Sequence, residues 1–115
     1  MDLGRLQPVW KLWIEKDGEY VFGAGTFKLL RAVQTTGSIA KSAESLGMSY
    51  RYAWGLIRNV EARLGTRVVE THRGGSTTGG LTGGGGARVT EAGIALMELY
   101  ARVSEAFEKA MDNLS

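Results

Sequence analysis

The chain of 115 residues has no cysteine and a single histidine, His72. Without cysteine there is no disulfide framework and no thiolate metal site. One histidine leaves a histidine-rich metal cluster or a histidine-based catalytic relay little to work with. No apolar run approaches the ~18 residues that a membrane span needs. The opening MDLGRLQPVWKLWIEK also lacks the apolar core of a signal peptide. These absences disfavour enzymes, metal proteins and membrane proteins; the expectation is a cytoplasmic protein with no membrane contact, no cofactor and no metal. What is present is an ordinary folded composition, 43% hydrophobic and 23% charged, in a chain long enough for one compact domain and too short for two.

The net charge of +2 is unevenly spread. Residues 1–37 carry +1, residues 38–90 carry +4 and residues 91–115 carry −3. The basic middle holds Lys41 and six arginines, Arg51, Arg58, Arg63, Arg67, Arg73 and Arg88, against Glu44, Glu61 and Glu70. Arginine is suited to forked contacts with phosphate and guanine. A solvated surface with drifting charge would show a similar excess, so the charge alone does not decide.

Patterning organises the chain. Val9 to Lys16 alternates, Trp10, Leu12 and Ile14 against Lys11, Trp13 and Glu15, which is strand period. Asp17-Gly18 suits a tight hairpin turn, and Glu19 to Phe22 returns with Tyr20 and Phe22 on one face. Phe27, Leu29, Leu30 and Val33 then predict a helix over 25–36 with Gly37 as its C-cap. Ser38 can cap a second, short helix carrying Ile39, Ala43 and Leu46, stopped by Gly47. Ser49 can cap a third, in which Ala53, Ile57, Val60 and Leu64 form one stripe ending at Gly65. Ala43 is small enough for a close crossing, and Gly47 suits a left-handed turn. Residues 38–64 therefore read as a helix-turn-helix. A strand from Arg67 to His72, the stretch RGGSTTGGLTGGGG with its eight glycines, and a second strand from Ala87 to Thr90 make residues 67–90 a wing. Thr90 caps a last helix over 90–114, whose Leu96, Tyr100, Val103, Phe107, Ala110 and Leu114 follow heptad spacing. That seam would be an exposed apolar stripe on a monomer and is the expected homodimer interface. The fold class is mainly α with small β: one winged helix-turn-helix domain with an N-terminal β-hairpin and a long C-terminal dimerisation helix.

At 100° per residue, the face of the third helix opposite its apolar stripe holds Arg51, Gly55, Arg58 and Ala62, flanked by Trp54. A mid-helix glycine costs ~1 kcal/mol relative to alanine, and close approach of a partner is one reason to keep it. A recognition helix in a DNA major groove fits, with Ser49, Tyr50 and Arg51 nearest the base edges. An amphipathic helix with a solvated outer face also fits the arginines alone; the short capped helix before it favours the first reading. Ser38 joins the expected DNA-facing residues. A wing along the DNA backbone needs flexible amides, hydroxyls and cations, which Arg73, Ser76, Thr77, Thr78 and Arg88 supply; a plain disordered tip is the alternative. As an NTPase phosphate loop the stretch fails, because Gly83–Gly86 is followed by Ala87-Arg88 rather than by Lys and Ser/Thr opening a helix. His72 is expected at a strand end, meeting phosphate or solvent. Trp10, Trp13, Tyr20 and Phe22 could stack bases, but core or dimer packing is favoured.

The run GSIAKSAESLGMSYRYAW (37–54), the glycine wing and RVTEAGIALMELY (88–100) resemble the N-terminal DNA-binding domain of ModE-type molybdate-responsive regulators and, more distantly, LysR-type winged helix-turn-helix domains. The resemblance covers roughly residues 20–115. It implies a homodimer that binds double-stranded operator DNA and regulates transcription, working at the nucleoid. Family contacts would carry over to Ser49, Tyr50, Arg51, Trp54, Arg58, Arg73 and the wing loop. ModE-type proteins continue into molybdate-binding domains, and no molybdate site is expected within these 115 residues. The leading expectation is a sequence-specific dimeric transcriptional regulator on a pseudo-palindromic operator, its effector unknown. The alternative is a winged-helix interaction or architectural module that binds DNA weakly and without preference.

Overall fold

In the computed structural model, which describes residues 3–73 and 85–114, a short 3₁₀ turn (Leu3–Arg5) precedes a hairpin of strands β1 (Trp13–Lys16) and β2 (Glu19–Gly23). Helices α1 (Ala24–Thr36), α2 (Ile39–Ser45) and α3 (Tyr50–Leu64) follow, then strands β3 (Val69–Arg73) and β4 (Gly85–Val89), then helix α4 (Glu91–Asp112). The expected order of elements is the observed one: a winged helix-turn-helix with a long C-terminal helix. Ser76, Thr77 and Thr78 lie outside the described residues, and of Arg73 only the backbone is described.

Local signals explain the helix boundaries. Ser38 Oγ accepts from Lys41 N (3.0 Å), Ser49 Oγ from Tyr52 N (3.0 Å) and Thr90 Oγ1 from Gly93 N (3.1 Å), each satisfying an otherwise orphaned amide. Gly47, at φ +71°, makes the left-handed bend between α2 and α3, and Met48 N donates back to Ala43 O (2.9 Å) across it.

The hairpin departs from the sequence reading in two ways. Asp17 (φ +51°) and Gly18 (φ +82°) form the expected turn, but β1 begins at Trp13 rather than Val9. Trp13 already faces Gly23, where β2 gives way to α1, so the residues before it have no strand to pair with. The alternation in β2 is also broken. Ile14 faces Phe22 and Glu15 faces Tyr20, which leaves Val21 as an extra residue. This bulge turns both Val21 and Phe22 into the core and leaves Tyr20 exposed, so Tyr20 and Phe22 do not share a face.

The core runs through every layer: Val21 and Phe22 of the hairpin, Leu29, Leu30 and Val33 of α1, Ala53, Ile57 and Val60 of α3, Val69 and Val89 of the wing, and Met97 and Tyr100 of α4. Tyr100 packs edge-on to Phe22 (centroids 5.6 Å) and stacks on Phe27 (4.9 Å), while its hydroxyl donates to Leu12 O (3.3 Å). It is thus part of the core of its own chain, not of an open seam, because the first half of α4 turns that face onto α1 and β2. Leu96 is half-buried against the same core. Leu114 lies past the end of α4, in a turn.

The wing is fastened at its base. Ala87 N donates to Gly37 O (2.9 Å), and Thr90 N to Val68 O (3.0 Å). Helix α4 crosses here so closely that a Cβ on Gly93 would lie 2.6 Å from both Val68 O and Val89 Cγ1. Gly93→Ala should therefore destabilise the protein by about 1–3 kcal/mol, the usual cost of overpacking, as read by urea unfolding.

Candidate nucleic-acid interface

Helix α3 buries Ala53, Ile57 and Val60 and turns Arg51, Gly55, Arg58 and Ala62 to solvent. The structure thus brings the predicted outer face together as one surface. A Cβ on Gly55 would meet nothing within 4 Å, so nothing inside the protein requires glycine there. At the helix start, Tyr50 is 55% exposed. Its ring meets Trp54 edge-on (6.4 Å), and the Arg58 guanidinium lies 5.4 Å from the centroid of Trp54. Tyr50, Trp54 and Arg58 therefore form a continuous row along the edge of the open face, and the contact with the Trp54 ring restricts where the guanidinium can point. Ser49 is exposed but already accepts the Tyr52 amide, and Ser38 likewise caps α2.

Sequence reasoning did not single out Tyr52, 58% exposed on the flank of α3. It lies close to Tyr20 of the hairpin. Partial desolvation raises the Tyr20 phenol above its ordinary range, and the neighbouring Tyr52 and Tyr100 phenols add to the shift, so Tyr20 is a neutral hydroxyl at physiological pH.

Two carboxylates and a lysine, also missed, fix α3 relative to its neighbours. Glu61, on the border of the apolar stripe, accepts from Val68 N (2.8 Å) and Val69 N (3.3 Å) and so ties α3 to the start of the wing. Unmaking such bonds to part-buried amides costs about 1–3 kcal/mol. Lys16 Nζ donates to Arg63 O (3.0 Å), one of the carbonyls a helix C-terminus leaves orphaned. Glu19, across the hairpin turn, pairs with the Arg63 guanidinium. The signal for Glu61 was its place at the stripe's edge a few residues before a strand; Lys16 and Glu19 carry no such local signal.

In the wing, Glu70 faces Arg88 and His72 faces Gly86. Arg88, expected to meet the DNA backbone, is paired with Glu70. The His72 ring lies over Gly86, where a Cβ would fall 2.5 Å from Nε2. From the middle of α4 onward, Leu99, Arg102, Val103, Ala106, Phe107 and Ala110 line a shallow groove, and Trp10 lies beside Phe107 (6.2 Å). Val103, Phe107 and Ala110 of the expected seam are therefore brought together on an open face, apart from Tyr100. Among the described residues no helix is long and apolar enough to cross a membrane.

Residues 25–94 match the family described as bacterial regulatory helix-turn-helix protein, lysR family. Among curated proteins, the transcriptional regulator ModE of Yersinia pestis is 37% identical over 86 residues, 75% of this chain and 30% of ModE. The molybdenum-pterin-binding protein MopA of Rhodobacter capsulatus is 34% identical over 100 residues, 87% of this chain and 36% of MopA. The chain spans about a third of the length of these relatives. A crystal structure of the CbnR DNA-binding domain in complex with DNA is similar at a TM-score of 0.54 and 26% identity, over 77% of this chain and 90% of that one. ArgP from Mycobacterium tuberculosis shares the fold at a TM-score of 0.54 and 23% identity, over 79% of this chain and 30% of ArgP.

Gly55 offers a direct test of the open face. Gly55→Leu should leave the melting temperature equal to or above that of the parent, since leucine is the better helix former by up to ~1 kcal/mol. It should weaken duplex DNA binding by about 1–3 kcal/mol, the worth of a good base-reading contact.

Proposed function

This chain belongs to the lysR family of bacterial regulatory helix-turn-helix proteins, and we propose that it is a DNA-binding transcription regulator that acts as a homodimer on a pseudo-palindromic operator at the nucleoid. The observation that carries the DNA-reading part is the outer face of α3, where Arg51, Gly55 and Arg58 lie open to solvent at the start and middle of a helix capped by Ser49. Arg51, near the N-terminus, reaches base edges, and a forked arginine contact selects guanine. Tyr50, Trp54 and Arg58 line the same approach, with Ser49 and Ser38 at the ends of the two helices. Arg73 and the wing hydroxyls of Ser76, Thr77 and Thr78 meet phosphate, which positions without selecting.

Pairing of two chains rests on the open face of α4. Val103, Phe107 and Ala110, with Leu99 and Ala106 beside them, are the apolar lining of a groove that also includes Arg102 and that a second copy of the helix would cover. Leu96 and Tyr100 contribute from within the core, by holding α4 in place. A two-fold dimer presents two recognition helices one DNA turn apart, ~34 Å, or a multiple of it. The molybdenum-related names of the curated relatives belong to longer proteins, of which this chain matches about a third, and no molybdate site is proposed here.

Duplexes selected from a random pool test both parts. The parent should enrich two inverted half-sites at a fixed spacing and sediment as a dimer at micromolar concentration. Phe107→Glu, which places a charge in the groove, should sediment as a monomer and enrich single half-sites. Enrichment of no sequence by the parent would favour the module that binds DNA without preference.

A further inference from the structure

The basic segment does not present its arginines equally. Arg51 and Arg58, on the outer face of α3, have no carboxylate partner among the described residues. Arg88 has one. The β3–β4 register sets Glu70 opposite Arg88, and their side chains pair across the ladder. Inward neighbours Val69, Ala87 and Val89 are buried, which puts the pair on the outer face of the wing hairpin, both partners substantially exposed. Arg88 is thus a cation of the wing whose charge is already answered within the chain.

We propose that Glu70 is a positioning residue for the wing: it holds the Arg88 guanidinium away from the DNA backbone and so limits the sequence-independent part of the affinity. The proposal rests on the DNA-binding reading above. A phosphate and the Glu70 carboxylate compete for one guanidinium. Moving Arg88 onto phosphate breaks the pair and leaves an unpaired carboxylate beside a polyanion. An exposed pair is weak in absolute terms, but the bare carboxylate adds repulsion that any phosphate contact must overcome. With Glu70 in place the wing contributes one phosphate contact fewer than its arginine count suggests. The balance between backbone and base contacts is then shifted towards α3. Glutamine in place of Glu70 keeps the size and strand preference of the exposed side chain closely similar, so the charge can be removed without disturbing the ladder.

Salt titrations on a duplex of random sequence test this with three proteins: the parent, Glu70→Gln, and the double variant Glu70→Gln/Arg88→Gln. Each neutralised phosphate contributes about 0.9 to the slope of log K against log[salt]. Glu70→Gln should bind about threefold to fivefold more tightly at ~0.1 M salt, with a slope steeper by ~0.9 per protomer. The double variant should match the parent in affinity and slope, since it removes a pair that was already self-neutralised. Either of two results overturns the proposal. An unchanged slope in Glu70→Gln means that Arg88 does not reach phosphate even when released. A slope flatter than the parent's in the double variant means that Arg88 was on the DNA all along. Absence of any salt-dependent duplex binding by the parent would instead remove the DNA-binding reading itself, and the proposal with it. Matching melting curves of the three proteins ensure that the comparison is one of charge.

Discussion

Burial of Ala53, Ile57 and Val60 is the constraint on which the rest of the molecule depends. A helix with that stripe seated against Leu29, Leu30 and Val33 of α1 cannot roll, so the residues on its far side have a fixed direction. The segment before it serves the same end. Ala43 of α2 is buried in the shared core, and Gly47 takes the left-handed bend that brings Ser49 to the head of α3. The backbone of that surface is set by the core beneath it rather than by whatever binds. The glycine at its centre makes chemical sense in the same terms: the protein gains nothing internally from Gly55, and an approaching surface gains room.

Around that helix the other elements act as braces. Glu61 takes two amides of the wing base, Lys16 takes a terminal carbonyl of α3, and Glu19 takes the Arg63 side chain. All three contacts are at or near the C-terminal half of α3, away from the residues that face outward at its start. The braces also link α3 to α4, since the hairpin that holds Arg63 is preceded directly by Leu12, whose carbonyl receives the Tyr100 hydroxyl. Helix α4 divides accordingly into a first half that is core and a second half whose apolar residues remain open. Gly93 permits this division, because only a residue without a Cβ lets the helix start flush against Val68 and Val89.

Much of this was legible in the chain because its signals are local. Ser38, Ser49 and Thr90 stand at the heads of the helices they cap, Gly37 and Gly65 at the tails of α1 and α3, and the stripe of α3 repeats within one element. The outer face of α3 followed from the same geometry. What escaped was set by partners distant in sequence. Nothing in EYVFG announces a bulge at Val21; it arises because the short β1 must meet a strand that ends directly in α1. Heptad spacing placed Tyr100 in a seam, yet the aromatic pocket of Phe22 and Phe27 claims it, and spacing cannot say which of two apolar surfaces a helix face will choose. The Glu19–Arg63 and Glu70–Arg88 pairs are similarly matters of tertiary neighbourhood: a charge count treats every arginine as available, whereas the fold answers some of them internally.

The central claim is that the outer face of α3 is the surface that meets DNA. Backbone amide resonances of the intact protein, followed by NMR during titration with a duplex drawn from a random pool, test it most directly. The account predicts that shifts concentrate at residues 49–58 of α3 and in the wing, while the amides of Trp13–Lys16 and Glu19–Gly23 stay near their free positions. Shifts centred on the hairpin aromatics, with α3 unperturbed, would contradict it.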